Sequence, residues 1–161
     1  MVMQLWLFFL LLSGCSLSMS PERSKSAMGD EYEISFLSQD WSQKKEDRSD
    51  YVWINQTDGR IMLSNSFCGE FQEAPLEQLA LKTFNTIDNL IIKKKKITTL
   101  NGREAFEADG EGEVDGVKVS LTLLNTRRNN CYFDFVSITP LNSAQVKRED
   151  FDKFLKSVKF K

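Results

Sequence analysis

The side chains of this chain that could do chemistry are three cysteines and a run of carboxylates, and the sequence contains no histidine. Without an imidazole there is no Ser-His or Cys-His catalysis, no usual general base near neutral pH and little prospect of a zinc site. Cys68 as a nucleophile would have no imidazole to activate it. Carboxylate-based hydrolysis stays open, but no motif positions a pair of carboxylates. The sequence therefore predicts a protein that is not an enzyme, and no motif indicates a cofactor.

Cys15 follows an apolar stretch at the start of the chain. Residues 5–12 are apolar, Ser13 and Gly14 are small, and a polar, serine-rich segment comes after Cys15. The apolar run is too short to span a hydrocarbon core, which needs about 20 residues, and it suits a secretory signal. The alternative is an ordinary signal peptide or a short membrane anchor with an incidental Cys15, and residues 1–4 lack the Lys or Arg of most signals.

The segment Leu12-Ser13-Gly14-Cys15 resembles a bacterial lipobox. The resemblance implies that a signal peptidase removes residues 1–14 and that the Cys15 thiol carries a thioether-linked diacylglycerol. Residues 15–31 are typical of a flexible tether, and residues 32–161 are expected to form one globular domain. We therefore expect a protein held on a membrane of the cell envelope by its N-terminal lipid and facing the periplasm. The residue after Cys15 is Ser16 and not Asp, which resembles lipoproteins that are sorted to the outer membrane. We therefore favour the outer membrane.

The two other cysteines, Cys68 and Cys131, form an even pair in a chain that the signal sends out of the cytosol. Disulfides persist in such compartments, so we expect a bridge that stabilises the fold by about 4 kcal/mol in the chain-entropy model. The alternative is two separate buried thiols, because cysteine packs well as a small apolar residue. The formal net charge of −2 and a pI near 5.3 give no global attraction for nucleic acid.

Hydrophobic periodicity predicts an antiparallel α+β fold with about six to seven strands and two main helices. Turn-forming pairs such as Asn101-Gly102 and Asp115-Gly116 separate the strands. Pro75 begins the first predicted helix, and a final amphipathic helix runs from Val146 to Val158. The predicted strands cover residues 32–37, 51–56, 60–67, 90–100, 103–113, 117–125 and 131–139, and residues 42–50 are predicted as a loop.

Five carboxylates fall on one face of a predicted strand, because they alternate with other residues. Such a cluster could hold Ca²⁺ or another hard cation. The preferred interpretation is a solvated ladder of ion pairs with the neighbouring strands, because carboxylates about 6.6 Å apart along a strand diverge. The carboxylates are Glu107, Asp109, Glu111, Glu113 and Asp115. The predicted register sets Lys96 opposite Glu107, Lys94 opposite Asp109, and Lys118 opposite Glu113.

The lysine run at residues 93–96 has two interpretations. It could attract anionic lipid headgroups beside the anchor, or it could lie on a solvated sheet edge, where lysines discourage strand pairing between molecules. A strand divides the four lysines between two faces, which makes the charge less concentrated. We therefore favour the edge.

The order of elements and several short segments together resemble the PsbP-like superfamily. Those segments are Asp40-Trp41, Gly102-Arg103-Glu104-Ala105, Cys131-Tyr132-Phe133-Asp134-Phe135 and residues 151–160. The superfamily includes the photosystem extrinsic protein, a Ran-binding nuclear import factor and lipid-anchored bacterial proteins of the DcrB type. The resemblance covers residues 32–160 and implies an α/β/α sandwich with a non-catalytic, partner-binding role. No family binding residue transfers to a position of this chain.

Two functions are consistent with these patterns. The first is a lipid-anchored envelope protein that binds a protein partner or assists an assembly. The second is a carrier of a small ligand or metal ion, using the acidic strand face or a pocket between helix and sheet.

Cys15→Ala should abolish lipid attachment, because only the Cys15 thiol can form the thioether. Growing cells with a clickable fatty-acid analogue measures this directly. We expect label on the wild-type chain and none on Cys15→Ala, with Cys68→Ala as the matched control that keeps its label. Label retained by Cys15→Ala would contradict the lipobox.

Overall fold

The computed structural model describes residues 31–36, 38–69, 74–143 and 148–161. The predicted signal peptide, the lipidation site Cys15 and the tether up to residue 30 lie outside these ranges. Neither helix among the described residues is long and apolar enough to cross a bilayer.

Within the described ranges the chain forms nine strands and two helices. The strands are β1 Tyr32–Ile34, β2 Trp41–Lys44, β3 Tyr51–Asn55, β4 Ile61–Cys68, β5 Asp88–Leu100, β6 Arg103–Val114, β7 Val117–Arg128, β8 Cys131–Pro140 and β9 Val158–Phe160. The helices are α1 Leu76–Phe84, between β4 and β5, and α2 Arg148–Lys156, between β8 and β9. Seven strands form one sheet in the order β2-β3-β4-β8-β7-β6-β5, and β1 pairs with β9 in a second sheet. All pairings are antiparallel, which confirms the predicted α+β class.

The four-strand meander β5–β8 has the register that its turns predict. Asn101 and Gly102 have φ of 50° and 75°, and Asp115 and Gly116 have φ of 48° and 79°. Asn, Asp and Gly tolerate this left-handed conformation better than other residues, so these pairs fix where each hairpin reverses. The predicted oppositions are confirmed: Lys96 with Glu107, Lys94 with Asp109, and Lys118 with Glu113.

Strand β2 lies where the sequence predicts only a loop, so that prediction was wrong. Trp41 is buried against Phe36, with ring centroids 5.8 Å apart, and β2 pairs with β3 through Trp41 and Asn55. Because β2 is an edge strand, Gln43 and Lys44 are exposed to water and give the segment the composition of a loop.

The chain after α2 is also different from the prediction, which extended the helix to Val158. The helix ends at Lys156, and the Ser157 hydroxyl donates to the Phe154 carbonyl oxygen at 2.7 Å. Val158 then pairs with Ile34 in the small sheet. Val158 is buried as predicted, but the pairing with β1 makes it a strand residue.

The large sheet has a separate apolar core on each face, which confirms the α/β/α arrangement. On the first face α2 and the small sheet cover an aromatic cluster, in which Trp53 and Phe154 rings lie 5.3 Å apart. On the second face α1 packs Ala80 and Phe84 onto β6, β7 and β8. Each face therefore buries its apolar residues under one helix. The aromatic cluster includes Tyr32, Phe36, Phe133, Phe135 and Phe151.

Gly112 lets β6 pass close to the segment that joins α1 to β5. A Cβ at this position would lie 2.5 Å from Ile87 Cγ2 and 3.0 Å from the Asp88 carbonyl oxygen. Any larger residue would push the start of β5 away from β6.

The pairing of β4 with β8 ends in a disulfide. Cys68 stands directly opposite Cys131, and the two Cα atoms are 4.0 Å apart. The bridge therefore joins neighbouring strands in the middle of the sheet. The two cysteines are 63 residues apart in the sequence, so the bond removes much conformational freedom from the unfolded chain.

Removing the bridge should destabilise the domain by about 4 kcal/mol, the chain-entropy value for a loop of this length. Urea denaturation of the wild type, with and without reductant, and of the double variant Cys68→Ala/Cys131→Ala measures the effect. We expect the reduced wild type and the double variant to unfold at the same, lower urea concentration. Coincident curves for the oxidised and reduced wild type would contradict the expectation.

Candidate functional site

The acidic strand β6 does not form a fully solvated ladder, because Glu107 is only 3% exposed. Its carboxylate accepts two hydrogen bonds from the Arg148 guanidinium of α2, at 2.9 and 2.8 Å. Lys96 Nζ lies 3.1 Å from the same carboxylate. The predicted ion pair with Lys96 is therefore present. Arg148 of α2 also covers the Glu107 carboxylate and excludes water from it.

The surroundings of Glu107 favour its charged form. Burial alone would raise the pKa of Glu107, but the hydrogen bonds and charges of Arg148 and Lys96 outweigh it and hold the pKa below the ordinary value of 4.5. The Glu107 hydrogen bonds in turn raise the pKa of Arg148, with a further contribution from Asp152, which accepts from Arg148 Nε at 2.7 Å. This cluster acts as an ion-pair clamp between α2 and the sheet.

The remaining acidic residues of β6 have separate partners. Asp109 accepts from the Thr122 hydroxyl at 2.8 Å, and Glu111 pairs with Lys93 at 3.1 Å. An irregularity in β5 between Ile92 and Lys94 shifts the register and explains why Lys93 reaches Glu111. In the part of the chain that the structure describes, no three His, Cys, Asp or Glu side chains come together in a way that could hold a metal ion.

A cleft of about 330 Å³ lies between α1 and strands β4 and β8. Leu79 and Phe67 form apolar walls, Tyr132 and Asp134 belong to the sheet side, and Thr83 and Thr86 come from α1 and the residues after it. Asn65 and Lys82 complete the lining. The volume is at the lower end of the range of small-molecule sites, about 300 to 1,000 Å³, and most of the lining surface is apolar, as in such sites.

The polar end of the cleft is a connected set of buried groups. Thr83 Oγ1 donates to Asp134 Oδ2 at 2.5 Å, and Asp134 is completely buried. Asn125 Nδ2 donates to the Tyr132 hydroxyl at 3.1 Å and to the Leu76 carbonyl oxygen at 2.8 Å. Burial, together with the negative charge of Asp134, raises the pKa of Tyr132, so its hydroxyl keeps its proton at neutral pH.

The sequence predicts that Tyr132 and Asp134 lie in the last strand of the meander, but no motif assigns a site to them. One signal was available: Asp134 is a charged residue in the middle of an otherwise apolar strand, and it shares a face with Tyr132 and Val136. A charge at a buried strand position is rare unless it has a partner or a function.

A second buried polar group fixes the strand that follows the predicted tether. The Tyr32 hydroxyl is 2.7 Å from Ser64 Oγ and donates to Asp50 Oδ2 at 3.1 Å. Ser66 Oγ also donates to Asp50, at 2.6 Å. Burial and the Asp50 charge raise the pKa of Tyr32. These bonds attach β1 to β4, which is a structural role.

The lysine run lies on β5, at one edge of the large sheet, which confirms the edge interpretation. Lys95 Nζ is 2.9 Å from Glu77 of α1, and because this ion pair is exposed it contributes little to stability. Ile91 and Ile97 on the same strand are 58% and 64% exposed. The edge therefore combines exposed apolar side chains with lysines whose charges are partly balanced within the domain.

Solved structures with little sequence similarity share this architecture. The solution structure of cyanobacterial PsbP from Synechocystis sp. PCC 6803 gives a TM-score of 0.58 at 10% identity, over 82% of this chain and 88% of that one. LpqN, involved in cell envelope biogenesis of Mycobacterium tuberculosis, gives a TM-score of 0.56 at 8% identity, over 79% and 81% of the two chains. A crystal structure from Bacteroides thetaiotaomicron gives 0.56 at 11% identity, over 81% of this chain but 48% of its own length.

These likenesses establish the fold, and at such low identity they establish the fold alone. No protein-family model matches the sequence, and no curated protein is significantly similar to it.

Glu107→Gln should lower the free energy of unfolding by about 2 kcal/mol at pH 7, because Arg148 loses a charged, bidentate partner. The pKa of Glu107 is depressed in the folded chain, so this contribution is present above about pH 4.5 and is lost as the pH falls through the folded value. Unfolding free energies of wild type and variant should therefore converge as the pH falls below about 4.5. Glu113→Gln, at a half-exposed position of the same strand, is the matched control and should change little. Parallel curves for the wild type and Glu107→Gln would contradict the clamp.

Proposed function

We propose that this chain, which has the PsbP-like fold, is a lipid-anchored protein of the bacterial cell envelope that binds a protein partner and catalyses no reaction. The proposal places the Cys15 lipid in the outer membrane, in accordance with Ser16, and the domain in the periplasm. Two observations support it. The first 15 residues resemble a lipoprotein signal, and the domain shares its fold with LpqN, which is involved in cell envelope biogenesis.

The observation that carries the proposal is the disulfide between Cys68 and Cys131. Disulfides persist in exported proteins and are rare in the reducing cytosol. The bridge also uses both cysteines of the globular domain, which leaves Cys15 as the third cysteine of the sequence, at the position that the lipobox requires. Two independent features, one in the leader and one in the sheet, thus support the same compartment.

The contacts of three buried or half-buried carboxylates support a binding role over catalysis. Glu107 holds Arg148, Asp50 holds β1 through Tyr32, and Asp134 accepts from Thr83. A general acid or base must reach a substrate proton. These carboxylates instead stabilise the packing of strands and helices.

The edge of β5 is the surface that we assign to the partner. Among the residues that the structure describes, β5 has one neighbouring strand, β6, so backbone groups along its 13 residues point away from the sheet. A partner segment can add to such an edge as an extra strand. The exposed lysines repel a second copy of the same edge and favour a segment that carries acidic residues.

Site-specific photo-crosslinking in intact cells tests this assignment. With p-benzoylphenylalanine in place of Ile97, we expect an adduct of defined mass that disappears when Cys15→Ala is introduced in the same chain. The matched control carries the same group at Thr57, an exposed residue in the turn between β3 and β4. The same adducts from both positions, or none from position 97, would contradict the assignment.

The cleft favours a second candidate function, a carrier of a small ligand. Native mass spectrometry of the chain purified from its own cells tests it. A retained small molecule, lost when Thr86→Trp blocks the mouth of the cleft, would support this function.

A further inference from the structure

The polar end of the cleft presents hydrogen-bond acceptors. The Thr83 hydroxyl donates its hydrogen bond to Asp134, so the lone pairs of Thr83 Oγ1 point away from the carboxylate. Thr83 is half-buried and lines the cleft, where its hydroxyl also meets the Tyr132 hydroxyl, so one lone pair of Oγ1 is left for a ligand. A donor on a ligand can therefore bind Thr83, with the charge of Asp134 behind it.

On the sheet side of the cleft, the Tyr132 hydroxyl adds a second polar oxygen. Its oxygen already accepts from Asn125 at 3.1 Å, and its hydroxyl stays protonated because burial, then the negative charge of Asp134 and the hydrogen bond to it, raise the pKa of Tyr132. The two hydroxyl groups and the carboxylate together make this end electronegative. An anionic head group would meet the charge of a completely buried Asp134 and be repelled.

The rest of the cleft suits an apolar body. Leu79 and Phe67 line it, and its volume of about 330 Å³ would hold about ten water molecules or an organic molecule of similar bulk. Lys82 at the rim is exposed, so water screens its charge more than that of the buried Asp134. A ligand would thus enter with its polar head first and leave its apolar body between α1 and the sheet.

From these contacts we infer that the cleft binds a compact amphipathic molecule with an apolar body and a protonated amine as its head group. The inference rests on the second candidate function, small-ligand binding. The amine donates to Thr83 Oγ1, Asp134 supplies the opposite charge, and Leu79 and Phe67 contact the apolar body. A charge-assisted hydrogen bond of this kind is worth about a tenfold preference over an uncharged donor.

Three fluorinated probes with the same aromatic body test the head group: 2-(4-fluorophenyl)ethylamine, 2-(4-fluorophenyl)ethanol and 3-(4-fluorophenyl)propionate. Ligand-observed ¹⁹F NMR measures their binding to the full lipidated chain in phospholipid nanodiscs. Nanodiscs carrying the Thr86→Trp chain correct for partition into lipid, because the tryptophan fills the mouth of the cleft. Thr99→Trp, at an exposed position of β5, is the matched control and should bind like the wild type.

Two substitutions test the mechanism. Thr83→Val removes the acceptor and should reduce the amine's preference over the carboxylate about tenfold, whereas Thr83→Ser should keep it. Asp134→Asn should also reduce the amine's preference, because it removes the negative charge that attracts the protonated amine and repels the carboxylate. Thermal melting shows whether each variant is folded. If Asp134→Asn does not fold, the comparison of Thr83→Val with Thr83→Ser still tests the mechanism.

The expected result is binding in the order amine, alcohol, carboxylate, lost in Thr86→Trp and with an about tenfold smaller preference for the amine in Thr83→Val. Equal binding of the three probes, or tightest binding of the carboxylate, would overturn the ligand class and leave small-ligand binding in place. No binding of any probe, or equal binding by wild type and Thr86→Trp, would overturn both.

Discussion

The pairing of β4 with β8 is the contact on which the rest of the domain depends. All other neighbours in the large sheet are consecutive strands joined as hairpins, so β2–β4 and β5–β8 would each be an open meander without it. The pairing runs from Ile61 opposite Ile138 to Cys68 opposite Cys131, where the disulfide ends it. Closing so distant a contact costs chain entropy, and the covalent bond reduces that cost by restricting the unfolded state.

The two helices are placed by this junction. On one face α2 extends across it, because Phe154 contacts Trp53 of β3 and Phe135 of β8, and Arg148 reaches Glu107 of β6. On the other face α1 connects β4 to β5 at the far edge, so it must cross the sheet. It packs mainly on β6 and β7 and only partly covers β4 and β8. The cleft is therefore a consequence of the topology, and its polar end lies where α1 leaves the junction incompletely covered.

Several predictions from the sequence were correct because they depend on neighbours in the chain. The Asn101-Gly102 and Asp115-Gly116 turns set the hairpins, and the hairpins set the register that brings Lys96 opposite Glu107. The prediction for β2 failed because the exposed residues of this edge strand have the composition of a loop, and the prediction for β9 failed because that strand exists only through pairing with the distant β1. Glu107 shows the same limit: its position opposite Lys96 was readable, but its burial depends on Arg148, 41 residues further on.

The sequence by itself determined the hairpin turns, the two amphipathic helices and the supply of two cysteines for a bridge, since each is a local pattern or a composition. Only the tertiary structure decided that Cys68 lies beside Cys131 and that Asp134 meets Thr83 at the end of a cleft. Both contacts join segments more than 50 residues apart, and no local periodicity specifies such contacts. They follow from the way β4 and β8 meet and from the path that α1 takes between them.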